Sequence, residues 1–198
     1  SPLLLLLGIF ITSVASADEV TTPVVSVVNV QTSDPGAYRA YLIENPEIFE
    51  ALGAESGGTC TTVSGHRYPG QAFAFSFYND AGSAFKAATR FANMPRSAEL
   101  DAISSVVSAE FYAVIKPFTL PPGFERRYQI VVNDAAAYVA AATKLEQAMQ
   151  ANGHKVEVGI FQPLGNGHQK ANVLDVRIFA VEPEVAGMMV NDFLQRKA

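Results

Sequence analysis

A single cysteine stands among 198 residues, so no disulfide forms within the chain. Apolar packing must hold the fold even in an oxidising compartment. That residue, Cys60, sits in the run Thr59-Cys60-Thr61-Thr62 and reads as a small buried side chain in a strand. Clusters of lysine and arginine are missing as well. With 14 basic against 19 acidic residues the net charge is −5, which argues against a nucleic-acid backbone or an anionic membrane surface as partner. The short motifs of common hydrolases and nucleotide enzymes are also absent. There is no Gly-x-Ser-x-Gly, no phosphate-binding glycine loop and no Cys–His pair at a recognisable spacing. Gly165-Asn166-Gly167 matches a phosphate loop in composition only, because it joins two expected strands instead of opening a helix.

Charge is absent from residues 1–17, SPLLLLLGIFITSVASA, which also hold the one long apolar run, residues 3–11. Small residues at Ala15 and Ala17 precede Asp18. This is the apolar and cleavage region of a secretory signal peptide. A transmembrane span needs about 20 apolar residues, and Ser13 and Ser16 interrupt this one too soon. No cysteine follows to take a lipid. The expectation is a signal peptide over residues 1–17 and a mature, membrane-free protein, periplasmic or secreted.

What is present is internal similarity. Asp34-Pro35-Gly36-Ala37-Tyr38 recurs as Asp134-Ala135-Ala136-Ala137-Tyr138, and Gly53 recurs as Gly153. Between these points the spacing predicts two amphipathic helices. One faces inward through Tyr38, Tyr41, Leu42, Ile48, Phe49 and Leu52, the other through Tyr138, Ala141, Ala142, Leu145, Ala148 and Met149. Asp34 or Ser33, and Asp134 or Asn133, supply N-cap oxygens, and the glycines suit a left-handed C-terminal residue. A strand precedes each helix, residues 24–30 and 128–132, and a hairpin follows, residues 59–78 and 156–179. A further helix follows each hairpin. In the first half a last strand, residues 108–115, completes the order βαββαβ, the ferredoxin-like split unit. The Pro-rich residues 116–123 read as a semi-rigid connector. The expected division is a first unit over residues 18–118 and a second over 119–198. The second lacks its final strand within this sequence, and roughly 20–30 further residues are expected to supply it.

Asp34-Pro35-x-x-Tyr38-x-x-Tyr41, a helix ending at Gly53 and a Gly-rich second strand together resemble the dimeric α+β barrel superfamily, which includes antibiotic-biosynthesis-monooxygenase-like and NIPSNAP-like domains. The resemblance covers most of the mature chain as two tandem copies. It implies an α+β fold in which two ferredoxin-like sheets pair into a barrel around a small molecule, here within one chain, with a homodimer left open. The superfamily spans cofactor-free oxygenases, haem-dependent enzymes, isomerases and proteins without known reaction, so the resemblance fixes no activity.

Alternation along the strands then proposes the site. Phe73, Phe75 and Phe77 are expected to pack on the helices, leaving Ala72, Ala74 and Ser76 toward the barrel. In the second half Leu174, Val176 and Ile178 take the helix side, which puts Asp175 and Arg177 on the barrel side. Two opposite charges inside are costly unless paired or used, which makes these the most informative polar residues. Asn29 and Gln129 are further hydrogen-bonding candidates. His66 is a candidate from the first hairpin turn. No spacing among His66, His154 and His168 suits zinc, and no metal is expected. A cofactor is not expected either, although a histidine leaves axial ligation of haem open. Two readings of function follow. In the first the protein binds a small, mainly apolar molecule without catalysis. In the second it is an enzyme of the cofactor-independent monooxygenase or isomerase type, working in the same cavity.

Overall fold

The computed structural model describes residues 21–119, 123–165 and 172–195. The leader expected over residues 1–17 and His168 lie outside them. The first half runs β1 (Val24–Thr32), α1 (Pro35–Glu44), α2 (Glu47–Leu52), β2 (Ser56–Thr61), β3 (Gln71–Tyr78), α3 (Ala81–Asn93), α4 (Ala98–Ile103) and β4 (Ser104–Lys116). The second runs β5 (Phe124–Val131), α5 (Ala135–Ala151), β6 (Val156–Pro163), β7 (Val173–Ala180) and α6 (Pro183–Leu194). All seven strands join one antiparallel sheet in the order β2-β3-β1-β4-β6-β7-β5. Within it β2-β3-β1 and β6-β7-β5 share one connection order, that of a ferredoxin-like α+β fold. The β4–β6 pairing joins the halves.

Local chemistry sets the helix ends. The Oδ1 atoms of Asp34 and Asp134 accept the backbone N–H of Ala37 and Ala137, each at 2.9 Å, so both helices start on the same cap. The first helix is not continuous to Gly53 as the periodicity suggests. Pro46 has no N–H to donate and keeps the preceding residue out of helical backbone, so the chain breaks at Asn45 into α1 and α2. Gly53 closes α2 at φ 75°. In α5 the inward face is rotated from the expected one. Tyr138, Val139, Ala142 and Met149 pack on the core, whereas Leu145 is 54% exposed and Glu146 is buried. Glu146 occupies that place because its Oε1 accepts the Val158 N–H at 2.9 Å and its Oε2 pairs with Lys116 Nζ at 2.6 Å. A buried carboxylate satisfied twice is tolerable where an unpaired one would not be.

The helices cover one face of the sheet. Tyr38 and Leu42 pack on Val30 and Ala72; Leu52, Ala84 and Ala87 pack on Val24 and Tyr78. Met149 and Ala186 pack on Val156, Val158, Ile160, Leu174 and Val176. The other face carries its own cluster, Val25, Val27, Phe73, Tyr112, Val114 and Phe161, joined by Cys60, Phe75, Phe77 and Phe118, with no helical member. This corrects the facing expected for β3. Strict alternation holds, but the phenylalanines point into the barrel, and Ala72, Ala74 and Ser76 point to the helices. Close helix packing on that stretch leaves room only for small side chains such as Ala72, Ala84 and Ala87, which are 0–3% exposed. The inner face carries no helix and has room for the rings. For β7 the expected facing is found, with Leu174, Val176 and Ile178 on the helix side.

Candidate functional site

Curling of the sheet brings its two end strands, β2 and β5, to opposite sides of one cavity of about 1030 Å³. Phe73, Phe75, Phe77, Phe118, Phe161 and Phe179 line it. Phe118, expected in a mere connector, is central. Its ring stacks on Phe179 at 4.3 Å between centroids and meets Phe161 and Phe77 edge-on at 5.5 and 6.1 Å. Glycine makes this approach possible, since a Cβ on Gly159 would lie 2.5 Å from the Phe118 ring. Gly58 does the same for Phe75, whose ring would lie 2.8 Å from an added Cβ. Cys60 also lines the cavity. Burial pushes its thiol up to about 12, helped by the Glu125 charge and opposed by Arg177 and Arg39, so it stays protonated and is no nucleophile at neutral pH.

A charged network crosses the inner face beside this apolar wall. Arg127 on β5 donates from Nε to Asp175 Oδ2 at 2.7 Å and from Nη2 to the Tyr112 hydroxyl at 3.2 Å. The Tyr112 hydroxyl donates to Glu110 Oε2 at 2.5 Å. Burial works against the Arg127 charge, but the charge and hydrogen bond of Asp175 outweigh it and hold the guanidinium protonated. Burial and the bond to Glu110 drive Tyr112 far above the ordinary phenol range, so it serves as a donor and not as a base. Arg177 is 6% exposed. Its guanidinium lies 5.2 Å from the centroids of both Phe73 and Phe161, a double cation–π contact. Nη1 donates to Glu125 Oε1 at 3.5 Å. Arg177 Nε and Asp175 Oδ1 stand 3.5 Å apart without a hydrogen bond, although both atoms are buried.

The structure divides the residues chosen from sequence. Asp175 and Arg177 come together on the barrel face, although their strongest partners are Arg127 and Glu125 across the strand pair, not each other. Gln129 lines the cavity at its exposed rim, where Oε1 accepts Arg67 Nη2 at 3.4 Å. Asn29 is buried on the inner face and spends its Nδ2 on Ser108 Oγ at 3.0 Å. Of the six candidates Arg177 and Gln129 line the cavity; Asp175 and Asn29 lie on the inner face outside its lining, and the remaining two are not brought to it. Ser76 faces the helix layer, for the reason given above, and His66 is exposed in the β2–β3 turn and does not line the cavity. Arg127 and Phe118 went unseen in the sequence. The signal for Arg127 was the period-two pattern Glu125, Arg127, Gln129 in a segment that begins its strand at Phe124, four residues before the expected start.

Neither histidine nor thiolate is offered to a haem iron by the described residues of this cavity: no histidine lines it, and the Cys60 thiol is held protonated. His154 borders a separate hollow of about 400 Å³, and its Nε2 is taken up by Asp192 Oδ2 at 3.2 Å. Nor do three His, Cys, Asp or Glu side chains converge as a metal site among the described residues.

No family model and no curated protein matches the chain. Solved structures do. A provisionally assigned chlorite dismutase superposes with a TM-score of 0.54 at 12% identity, covering 86% of this chain and 85% of its own. A variant of chlorite dismutase from Candidatus Nitrospira defluvii gives 0.50 at 10% identity, covering 87% and 82%. A provisionally assigned monooxygenase from Lactobacillus acidophilus NCFM gives 0.49 at 12% identity, covering 85% and 81%. At such identities the first two matches speak to the fold alone.

Proposed function

We propose that this chain is an exported protein that binds one small molecule with a mainly apolar body in the barrel cavity, without catalysis. The observation that supports this is the cavity itself, about 1030 Å³ and walled largely by phenylalanines. Ligand sites are typically concave, apolar and of about 300–1,000 Å³. Shape and desolvation suffice for binding. Catalysis needs a proton donor or acceptor tuned near working pH and within reach of the ligand, and two described groups on the inner face are tuned away from that. Cys60 and Tyr112 both hold their protons too tightly.

The second reading is an enzyme of the cofactor-free oxygenase or isomerase type. It is favoured by one feature, the chain of hydrogen bonds from Arg127 at the cavity wall through Tyr112 to Glu110. Native mass spectrometry of protein purified from its own host tests the binding reading. The expected spectrum shows one noncovalent adduct per chain that disappears on denaturation. A bare polypeptide mass counts against retained ligand, and turnover of the bound molecule would favour the enzyme.

A further inference from the structure

The cavity lining carries an excess of positive charge. Five of the eight arginines in the sequence line it, Arg39, Arg67, Arg126, Arg127 and Arg177, against a single carboxylate among the described residues, Glu125. They come from α1, the β2–β3 turn, β5 and β7, so the chain has no basic run although the folded protein has a basic mouth. This is the reverse of its net charge of −5. Two of the five are already answered, Arg127 by Asp175 and Arg177 by Glu125. The other three have no carboxylate partner among the described residues. Arg67 donates to the neutral amide of Gln129 at 3.4 Å, and Arg126 lies over the Tyr128 ring at 5.3 Å.

Arginines gathered without counter-ions repel one another, which low-dielectric walls around a cleft sharpen. An oxyanion relieves that repulsion and accepts their forked donors, and such charge-assisted bonds are stronger than neutral ones. Phenylalanine rings behind the rim favour an apolar body. We propose that the ligand is an amphiphilic organic anion. Its apolar body lies on Phe73, Phe75 and Phe118, and its oxyanion head, a carboxylate or sulfonate, sits at the mouth, at Arg39, Arg67 and Arg126, the last bordering the opening from the helix-side face of β5. This rests on the binding reading above and specifies its ligand class.

Two fluorescent probes of similar shape separate the claims, namely 8-anilinonaphthalene-1-sulfonate and uncharged N-phenyl-1-naphthylamine. The expected result is that both bind and that the sulfonate binds about tenfold more tightly, as one charge-assisted contact would give. Added salt should shrink that advantage. In the triple variant Arg39→Gln, Arg67→Gln, Arg126→Gln the sulfonate should fall to the level of the uncharged probe. Uptake of the uncharged probe should be unchanged, which also shows that the variant is folded. Equal affinities in the unsubstituted protein would overturn the anion inference while leaving the cavity reading intact. Binding of neither probe overturns both. Loss of both probes in the triple variant also overturns the inference, because the arginines would then be shaping the cavity instead of meeting a charge.

Discussion

Asp175 shows how a residue can be legible while its role is not. Alternation placed it inside, but nothing in its neighbourhood announced Arg127, because Glu125-Arg126-Arg127 falls between the connector read over residues 116–123 and the strand expected from residue 128. The partnership exists only once β5 pairs with β7. Asp175 is 2% exposed and Arg127 depends on it. Asp175→Asn should therefore cost about 3 kcal/mol in urea denaturation, the scale of breaking a buried pair. Asp101→Asn, which breaks a surface pair with Arg96, should cost less than about 1 kcal/mol. Similar losses for the two would show that the inner network is wet. Cys60 gives a second residue-level test. Its folded-state thiol lies near 12 against an ordinary 9.0, burial being the main cause. The folded protein thus holds this proton more tightly than the unfolded chain. The stability linked to it is complete below pH 9 and is lost as pH rises toward about 12. Alkylation at pH 8 should be slow in the native protein and fast in denaturant, and rapid native labelling would contradict the burial.

At the scale of elements, the sequence declared helices and caps well because those signals are local. Asp34 and Asp134 make the same bond to the residue three ahead, and Asp134→Ala should cost about 1 kcal/mol, read as a shift in the denaturation midpoint. The orientation of β3 was not legible. Period-two alternation says which residues share a face but not which layer the face meets, and bulk pointed the wrong way. Helices demanded the small face and the barrel took the phenylalanines. A paired substitution checks the orientation. Ser76→Asp buries an unpaired carboxylate against the helix layer, so it should destabilise by about 3 kcal/mol or more. Phe75→Asp places its carboxylate on the cavity wall near arginines and should cost less. The opposite order in a denaturant series would restore the original facing.

Over the whole molecule, the proposed site is built from side chains that the sequence keeps far apart. Phe73, Phe118 and Phe161 meet only because the β4–β6 pairing closes one half of the sheet on the other, and the arginines of the mouth are scattered from Arg39 to Arg177. Composition reported an acidic chain without a basic cluster, correctly, and still could not reveal a basic cavity. The absence of tryptophan makes the cavity directly testable. Phe118→Trp introduces a lone indole into the wall, and Phe85→Trp introduces one on α3, where Phe85 is 49% exposed. Acrylamide quenching of each variant, with and without N-phenyl-1-naphthylamine, locates the bound molecule. The expected result is that the probe protects the indole of Phe118→Trp and leaves that of Phe85→Trp as accessible as before. Protection at position 85, or none at position 118 with the probe bound, would contradict a ligand site inside the barrel.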